Sequence, residues 1–374
     1  MHPFKYLKLA VFASIGVGLS GSAFAADYRV QARPGGVVEL FESGVIKGGD
    51  RVILEAGRHG DVRIAGQSFS PPVEIRSLPS ERGVLDSLYI DESAGLLVSN
   101  VFVLAQDTRA SKRALVHIQK SRDVVLERLE IRSARSASGW SRREWLARAH
   151  RGVSLHGGDL TLRNSVIAVV DHAIESKADG ALVEGNIIQQ FRGDGIRALG
   201  DNSRYLNNRI EGCVDVDNNH DDGFQSWSVD ASGTPGKGVV RNVEISGNFV
   251  RGGKDDHPFG CNLQGMGFFD GMFENWVIRD NVIEVNHWHG ITVMGGRNVL
   301  VENNIVVDEA PEGPGPPWIT VTAHKDGRLA SGSAIIGNVT QPRAGGGDPV
   351  FRQPQVGVVN RDNRVVETPD AAFR

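Results

Sequence analysis

The feature that most limits what this chain can fold into is a recurring phrase in which an Asn stands between two short apolar runs. Leu160-Thr-Leu-Arg-Asn-Ser-Val-Ile, Ala181-Leu-Val-Glu-Gly-Asn-Ile-Ile and Val299-Leu-Val-Glu-Asn-Asn-Ile-Val are clear instances. With Asn164, Asn186, Asn208, Asn248, Asn281, Asn304 and Asn338 as marks, the intervals are 22, 22, 40, 33, 23 and 34 residues. A unit near 22 residues that tolerates insertions suits one coil of a parallel β-helix, which needs three short strands and three turns. Leucine-rich and nonapeptide calcium solenoids need Leu at fixed sites or Gly-Gly-x-Gly-x-Asp, and neither pattern is present. The Asn marks are expected to form an internal amide ladder at a turn. The expected fold is therefore all-β, a right-handed parallel β-helix with an N-terminal cap and loop insertions.

Domain organisation comes from the same repeat. Residues 1–25 read as a cleavable signal peptide, with basic Lys5 and Lys8, apolar Leu9 to Leu19 and cleavage after Ala25. The apolar run is too short to span a membrane. The mature chain is expected to be secreted or periplasmic. Residues 26–60 are assigned to a cap and first coil, with a short helix near Gly36–Gly44, residues 61–343 to the β-helix, and residues 344–374 to a C-terminal cap or tail. Residues 136–150 and the loops 212–238 and 251–272 interrupt the repeat. Gly accounts for 46 of 374 residues, as many tight turns require. A net charge of −4 gives no nucleic-acid footprint. Cys213 and Cys261 pair in a disulfide or remain as buried thiols; an export context allows either.

Aligning the segments just after each Asn mark produces a polar column. His172, Asp194, Asp222 and His289 occupy one position, and Glu175, Arg197, Gln225 and Thr292 the position three later; Gln264 is the expected contributor from the coil of Asn248. Successive rungs lie about 4.8 Å apart. Like charges stacked at that distance repel, so such a column points to a site, on a scaffold whose insertions wall it. Two carboxylates one coil apart could serve glycosidic hydrolysis, and the third, Asp221, would raise a neighbour's pKa.

Gly193-Asp-Gly195, Asp221-Asp222 and Trp288-His-Gly290 resemble, in that order, the motifs of the polygalacturonase family of β-helix hydrolases. The resemblance implies catalytic Asp194, Asp221 and Asp222 with His289 in support. It departs in that Trp288 replaces a Gly and that only Ala323-His-Lys325 stands for the family's Arg-Ile-Lys, which brings in Lys325 as a substrate contact. Lys177 and Arg197, 20 residues apart, look like the Lys and Arg of the chondroitinase B and alginate lyase family. That likeness implies β-elimination, with calcium held by acidic or amide residues near the Lys; Asp171 and Glu175 are the ones on offer. His220 and His289 are then the candidate bases, and a C5 epimerase would use similar parts.

Two further readings complete the expectation. Asp215-x-Asp217-x-Asn219-x-Asp221 alternates oxygen ligands as a calcium loop does, although His220 replaces the usual Gly. Trp227, Trp288 and Trp318 fall beside the column, where they would stack on sugar rings or pack the insertions. With His172, Gln225, Gln264 and Lys325 they form the expected substrate-binding set. The expected function is cleavage of an acidic, uronate-containing polysaccharide, hydrolysis ahead of β-elimination or C5 epimerisation. No cofactor is required on this reading, Ca²⁺ being the candidate ion, and a non-catalytic glycan-binding adhesin is the alternative outside enzymes.

Overall fold

Each coil contributes a strand to each of three parallel faces, and the computed structural model describes this for residues 25–106, 109–253, 256–309, 314–342 and 357–373. Apart from Ala25, the expected signal peptide lies outside the described residues. The first face runs in register from Asp27–Val30 through Arg51–Leu54 to Ser333–Ile336 and Val358–Arg361. The second includes Val166–Val170, Ile187–Phe191 and Arg209–Cys213. The third carries the polar column: Val153–Arg163, Ile174–Ser176, Ile196–Ala198, Asp222–Trp227, Gln264–Asp270, His289–Met294 and Trp318–Thr322. A smaller parallel sheet joins Val239–Arg241, Met272–Glu274 and Gly296–Arg297.

Alternation along these short strands builds the core. On the third face Ile174, Ile196, Phe224, Met266 and Ile291 point inward and are fully buried. Their neighbours Glu175, Arg197, Gln225 and Thr292 make up the outward row. A period of two on a coil that repeats in register turns each strand position into a row of like-placed side chains.

The amide ladder forms as expected, with one shift. Asn186 donates from Nδ2 to Asn208 Oδ1 at 3.0 Å, and the same bond recurs from Asn208 to Asn248, Asn248 to Asn281, Asn281 to Asn304, and Asn304 to Asn338, at 2.8–3.0 Å. It extends one coil further, to Asn363, at 2.9 Å. Asn164 is not a rung: it is exposed in the left-handed conformation, and Ser165 takes the inward place, its amide donating to Asn186 Oδ1. The ladder meets a strong demand, because an unpaired buried amide costs about 1–3 kcal/mol.

The ends and insertions adjust the expected boundaries. The N-terminal helix is Gly36–Glu42. The C-terminal boundary at 343 is too early: Val358–Arg361 and Arg364–Val365 pair with the preceding coil, and the helix Pro369–Ala372 packs at this end against Val307 and Val366. Residues 136–150 contain the helix Arg142–Arg148, started by a capping box in which Ser141 and Glu144 satisfy each other's amides. Its Trp145 packs with Trp140, Val214, Val216 and Phe259 in an apolar cluster of its own. Cys213 and Cys261 form a disulfide with Cα atoms 5.7 Å apart, tying the two long insertions together.

Candidate functional site

The register places the expected column residues on one row. Ile174 pairs with Ile196, Ile196 with Phe224, Asp222 with Gln264 and Met266 with Ile291, so His172, Asp194, Asp222, Gln264 and His289 succeed one another. Asp194 is locked from several sides. Its Oδ2 accepts from Arg197 Nε at 2.6 Å and lies 3.3 Å from His172 Nδ1, and its Oδ1 accepts from the Asp222 amide at 3.2 Å. Arg197 Nη2 lies 3.0 Å from His172 Nε2, and the Asp194 backbone amide donates to His172 Nδ1 at 2.9 Å, so the imidazole is held at both ring nitrogens.

The three carboxyls are pushed apart electrostatically. Burial raises the Asp194 pKa, but the His172 hydrogen bond and the Arg197 charge outweigh it and hold the group below its ordinary value, ionised. Burial drives Asp221 up to about 9, with the Asn219 hydrogen bond opposing and Asp194, Asp217 and Asp215 adding to the rise. Asp222 is pushed well up by burial and by the Asp194 charge, against the hydrogen bond from Gln225. Asp222 is fully buried, and its Oδ1 and the Oε1 of Gln264 have no hydrogen-bond partner.

Lys177 lies off the row that Arg197 shares with Glu175. One coil here is 22 residues, not 20, so Arg197 is level with Glu175, and Lys177 lies two residues further along the strand direction. The three are still joined: Glu175 Oε1 takes Lys177 Nζ at 2.9 Å and His156 Nε2 at 3.3 Å, and Oε2 faces Arg197 at 3.8 Å. Burial raises the Glu175 pKa, but the hydrogen bonds from His156 and Lys177 and the charges of Lys177 and Arg197 bring it down to about 2. The groups expected to serve as bases with Lys177 are distant. His289 is three coils beyond Arg197, about 14 Å at the sheet spacing. Its Nδ1 is 2.8 Å from Thr292 Oγ1, and its ring lies edge-on to Phe269 and Trp318. His220 is exposed and bears on His287.

Upstream, the outward row continues through residues that the Asn marks did not reach. Arg63, Tyr89, His117, Ser154 and Glu175 are paired in succession. His117 stacks on Tyr89 with ring centroids 5.2 Å apart and lies 5.6 Å from His156. Burial, with the neighbouring His156 and Arg113, lowers the His117 pKa although Gln119 opposes this, so its imidazole is neutral near pH 7. His117, His156, Glu175, Lys177 and Arg197 line one cavity of about 230 Å³, with Arg113 at its edge. The alternation of Val116-His-Ile-Gln, two buried residues each followed by a polar one, was the available signal.

The remaining candidates flank this arrangement. Arg197 lies over the Trp227 ring at 5.3 Å. Trp288 is exposed and stacked parallel to buried Trp318, 6.3 Å away. Lys325 pairs with Asp270 at 2.8 Å over the Phe269 ring.

The acidic residues of both proposed calcium arrangements have protein partners in this structure. Asp217 Oδ2 pairs with Arg192 at 2.8 Å and its Oδ1 accepts from the Asn219 amide. Asn219 donates to Asp221, and the Asp215 amide is engaged with Phe259. Near Lys177, Asp171 faces Arg192 and Arg151, and Glu175 faces Lys177, Arg197 and His156. Among the described residues, the one grouping of potential metal donors, Cys213, Asp221 and Cys261, has both sulfurs in the disulfide.

Residues 151–315 match the family described as the right-handed β-helix region. A search of curated proteins finds no match. Among solved structures, the chain is similar to a mannuronic acid specific polysaccharide family 6 lyase from human gut microbiota. Identity is 14% over 93% of this chain and 84% of that chain, with a TM-score of 0.53. It is also similar to the A-module of a mannuronan C-5 epimerase from Azotobacter vinelandii, at 14% identity over 88% and 93% of the chains and a TM-score of 0.45. The Dettilon tailspike protein matches at 11% identity over 87% of this chain, with a TM-score of 0.46; the chain spans 64% of the tailspike's length. At these identities the likeness is one of fold: the chain is a right-handed parallel β-helix.

Proposed function

We propose that this protein cleaves an acidic, uronate-containing polysaccharide by β-elimination in the cavity between His117 and Arg197. The observation that carries this reading is the composition of that cavity: Lys177 and Arg197 bound it on one side, and His117 and His156 face them. Removing the C5 proton of a uronate requires neutralising its carboxylate, which Lys177, on the coil of Glu175 two rungs from His117, can do, while Arg197 one rung further binds the neighbouring sugar. Neutral His117 takes the proton, the electron pair forms the C4–C5 double bond, and the C4–O4 bond breaks. His156, held by Glu175, protonates the departing oxygen. The disulfide supports an oxidising, periplasmic or secreted location.

Hydrolysis has one observation in its favour, the contrast between ionised Asp194 and neutral Asp222, which suits a base and an acid. Both carboxyls are buried beneath the surface, however, and Asp194 is consumed by Arg197 and His172. Incubation of the mature protein with a panel of uronate polymers tests the choice. Elimination yields the ultraviolet absorbance of an unsaturated uronide. Reducing ends without that absorbance would establish hydrolysis, a change of sugar configuration at constant chain length would establish epimerisation, and binding without chemistry an adhesin.

A further inference from the structure

A second, larger cavity of about 980 Å³ lies upstream of the one just described and shares Lys112, Arg113 and Ala114 with it. The two are therefore one groove, pinched where the shared residues stand. Its floor is Tyr89, whose ring is stacked on His117 and has two guanidinium groups near it, Arg63 at 5.3 Å and Arg113 at 4.9 Å. Among the described residues neither Lys112 nor Arg113 has a carboxylate partner, and both are exposed. The acidic residues on the walls are already engaged: Asp61 accepts from Ser87 at 2.6 Å, and Asp86 pairs with Arg58. Exposed Lys112 and Arg113, with Arg63 shared with Asp91 at 3.2 Å, suit an anionic sugar whose carboxylate meets a guanidinium above the Tyr89 floor.

The register sets the distance. Tyr89, His117, Ser154 and Glu175 are consecutive rungs, so the Tyr89 floor is three coils, about 14 Å, from Glu175. A single sugar cannot reach both. We propose that the cavity over Tyr89 is a second anion-binding subsite for the same polymer, which makes the protein an enzyme that acts within long acidic chains rather than on short ends. This rests on the function proposed above for the smaller cavity.

Arg63 lines only the larger cavity, its side chain is 62% exposed, and its ion pair with Asp91 at 3.2 Å is a surface pair of the kind that adds little to stability, so its replacement is tolerated by the fold. The test compares the unaltered protein with Arg63→Glu, and separately with Lys112→Glu, on size-graded oligomannuronates and oligogalacturonates. For chains of about six sugars or more, long enough to cover both cavities at the coil spacing, KM should rise roughly tenfold in Arg63→Glu. For di- and trisaccharides it should not change. A KM that is unaltered, or altered equally at every length, overturns the subsite. Calorimetric binding of the same oligomers separates this from failure of the reaction itself. If nothing is turned over, yet affinity climbs with length and Arg63→Glu abolishes the climb, the subsite stands and elimination falls. Affinity independent of length overturns the subsite whether or not turnover is seen.

Discussion

The backbone amide of Asp222 donates to Oδ1 of Asp194 at 3.2 Å, so a carboxylate on one coil is held by the backbone of the next, whose own side chain is a second carboxyl. His172 and Arg197 outweigh burial and keep Asp194 ionised, and the Asp194 charge in turn helps to keep Asp222 neutral. The pair reads more as the foundation under Arg197 than as a reacting couple.

If so, Asp222→Asn should be mild. The group it replaces is already neutral, and Gln225 can still hydrogen-bond an amide oxygen. Turnover of a uronate polymer should stay within about threefold of the unaltered protein, whereas a general acid in hydrolysis would lose roughly a hundredfold or more. Steady-state rates of the variant decide between the two.

His117→Ala should lower kcat by roughly 10²–10⁴-fold with little change in melting temperature. Because burial and the neighbouring cations depress the His117 pKa, the rate of the unaltered protein should hold as pH falls through 6.5, the ordinary histidine value, and decline only below it. A pH–rate profile that lacks this acid limb, or retains it in the variant, removes His117 as the base.

Stability should respond to pH in two opposite ways. Asp221, with its pKa raised to about 9, favours the fold while neutral; that contribution is complete below the ordinary Asp value of about 3.9 and is lost as pH rises toward 9. Glu175, lowered to about 2, contributes above its ordinary value of 4.5 and loses that contribution as pH falls toward 2. The unfolding free energy should therefore drift down between pH 5 and pH 9, by no more than about 1.4 kcal/mol per pH unit for each such group. Asp221→Asn should flatten the drift, as thermal melts across that range will report.

Replacing a rung of the amide ladder should be costly and replacing a false rung should not. Asn248→Ala leaves the amide of Asn208 and the carbonyl of Tyr205 without their partners, a loss of about 1–3 kcal/mol. Asn164→Ala, at an exposed turn, should stay within about 0.5 kcal/mol apart from its left-handed conformation. Denaturant midpoints of the two variants give the comparison.

The repeat was legible because a buried amide must be paired on every coil, which forces one residue type into one place. Asn186 through Asn338 obey that demand. Asn164 misleads because a small hydroxyl, Ser165, can also fill the inward place, and the left-handed turn before it favours Asn independently. The column of Asp194 and Asp222 was legible from register alone. The pairing of Lys177 with Arg197 was not, since an interval of 20 falls two residues short of the coil that the strands actually keep. His117 and His156 escaped for a different reason. The long strands Val116–Glu127 and Val153–Arg163 run through a corner where other coils turn, so no Asn marks their phase. Their neutral or shared imidazoles owe their character to Tyr89, Arg113 and Glu175, which are near only once the coils are stacked.

The amide ladder has one more consequence. Its rungs join residues 22, 40, 33 and 23 positions apart, yet the bond between them hardly changes in length. The stack therefore behaves as a ruler whose graduations are indifferent to how much chain is looped out between them. Walls such as the disulfide-tied insertions could be lengthened, trimmed or exchanged without moving Glu175 relative to Arg197, so the shape of the groove can drift while the distances that govern its chemistry stay fixed.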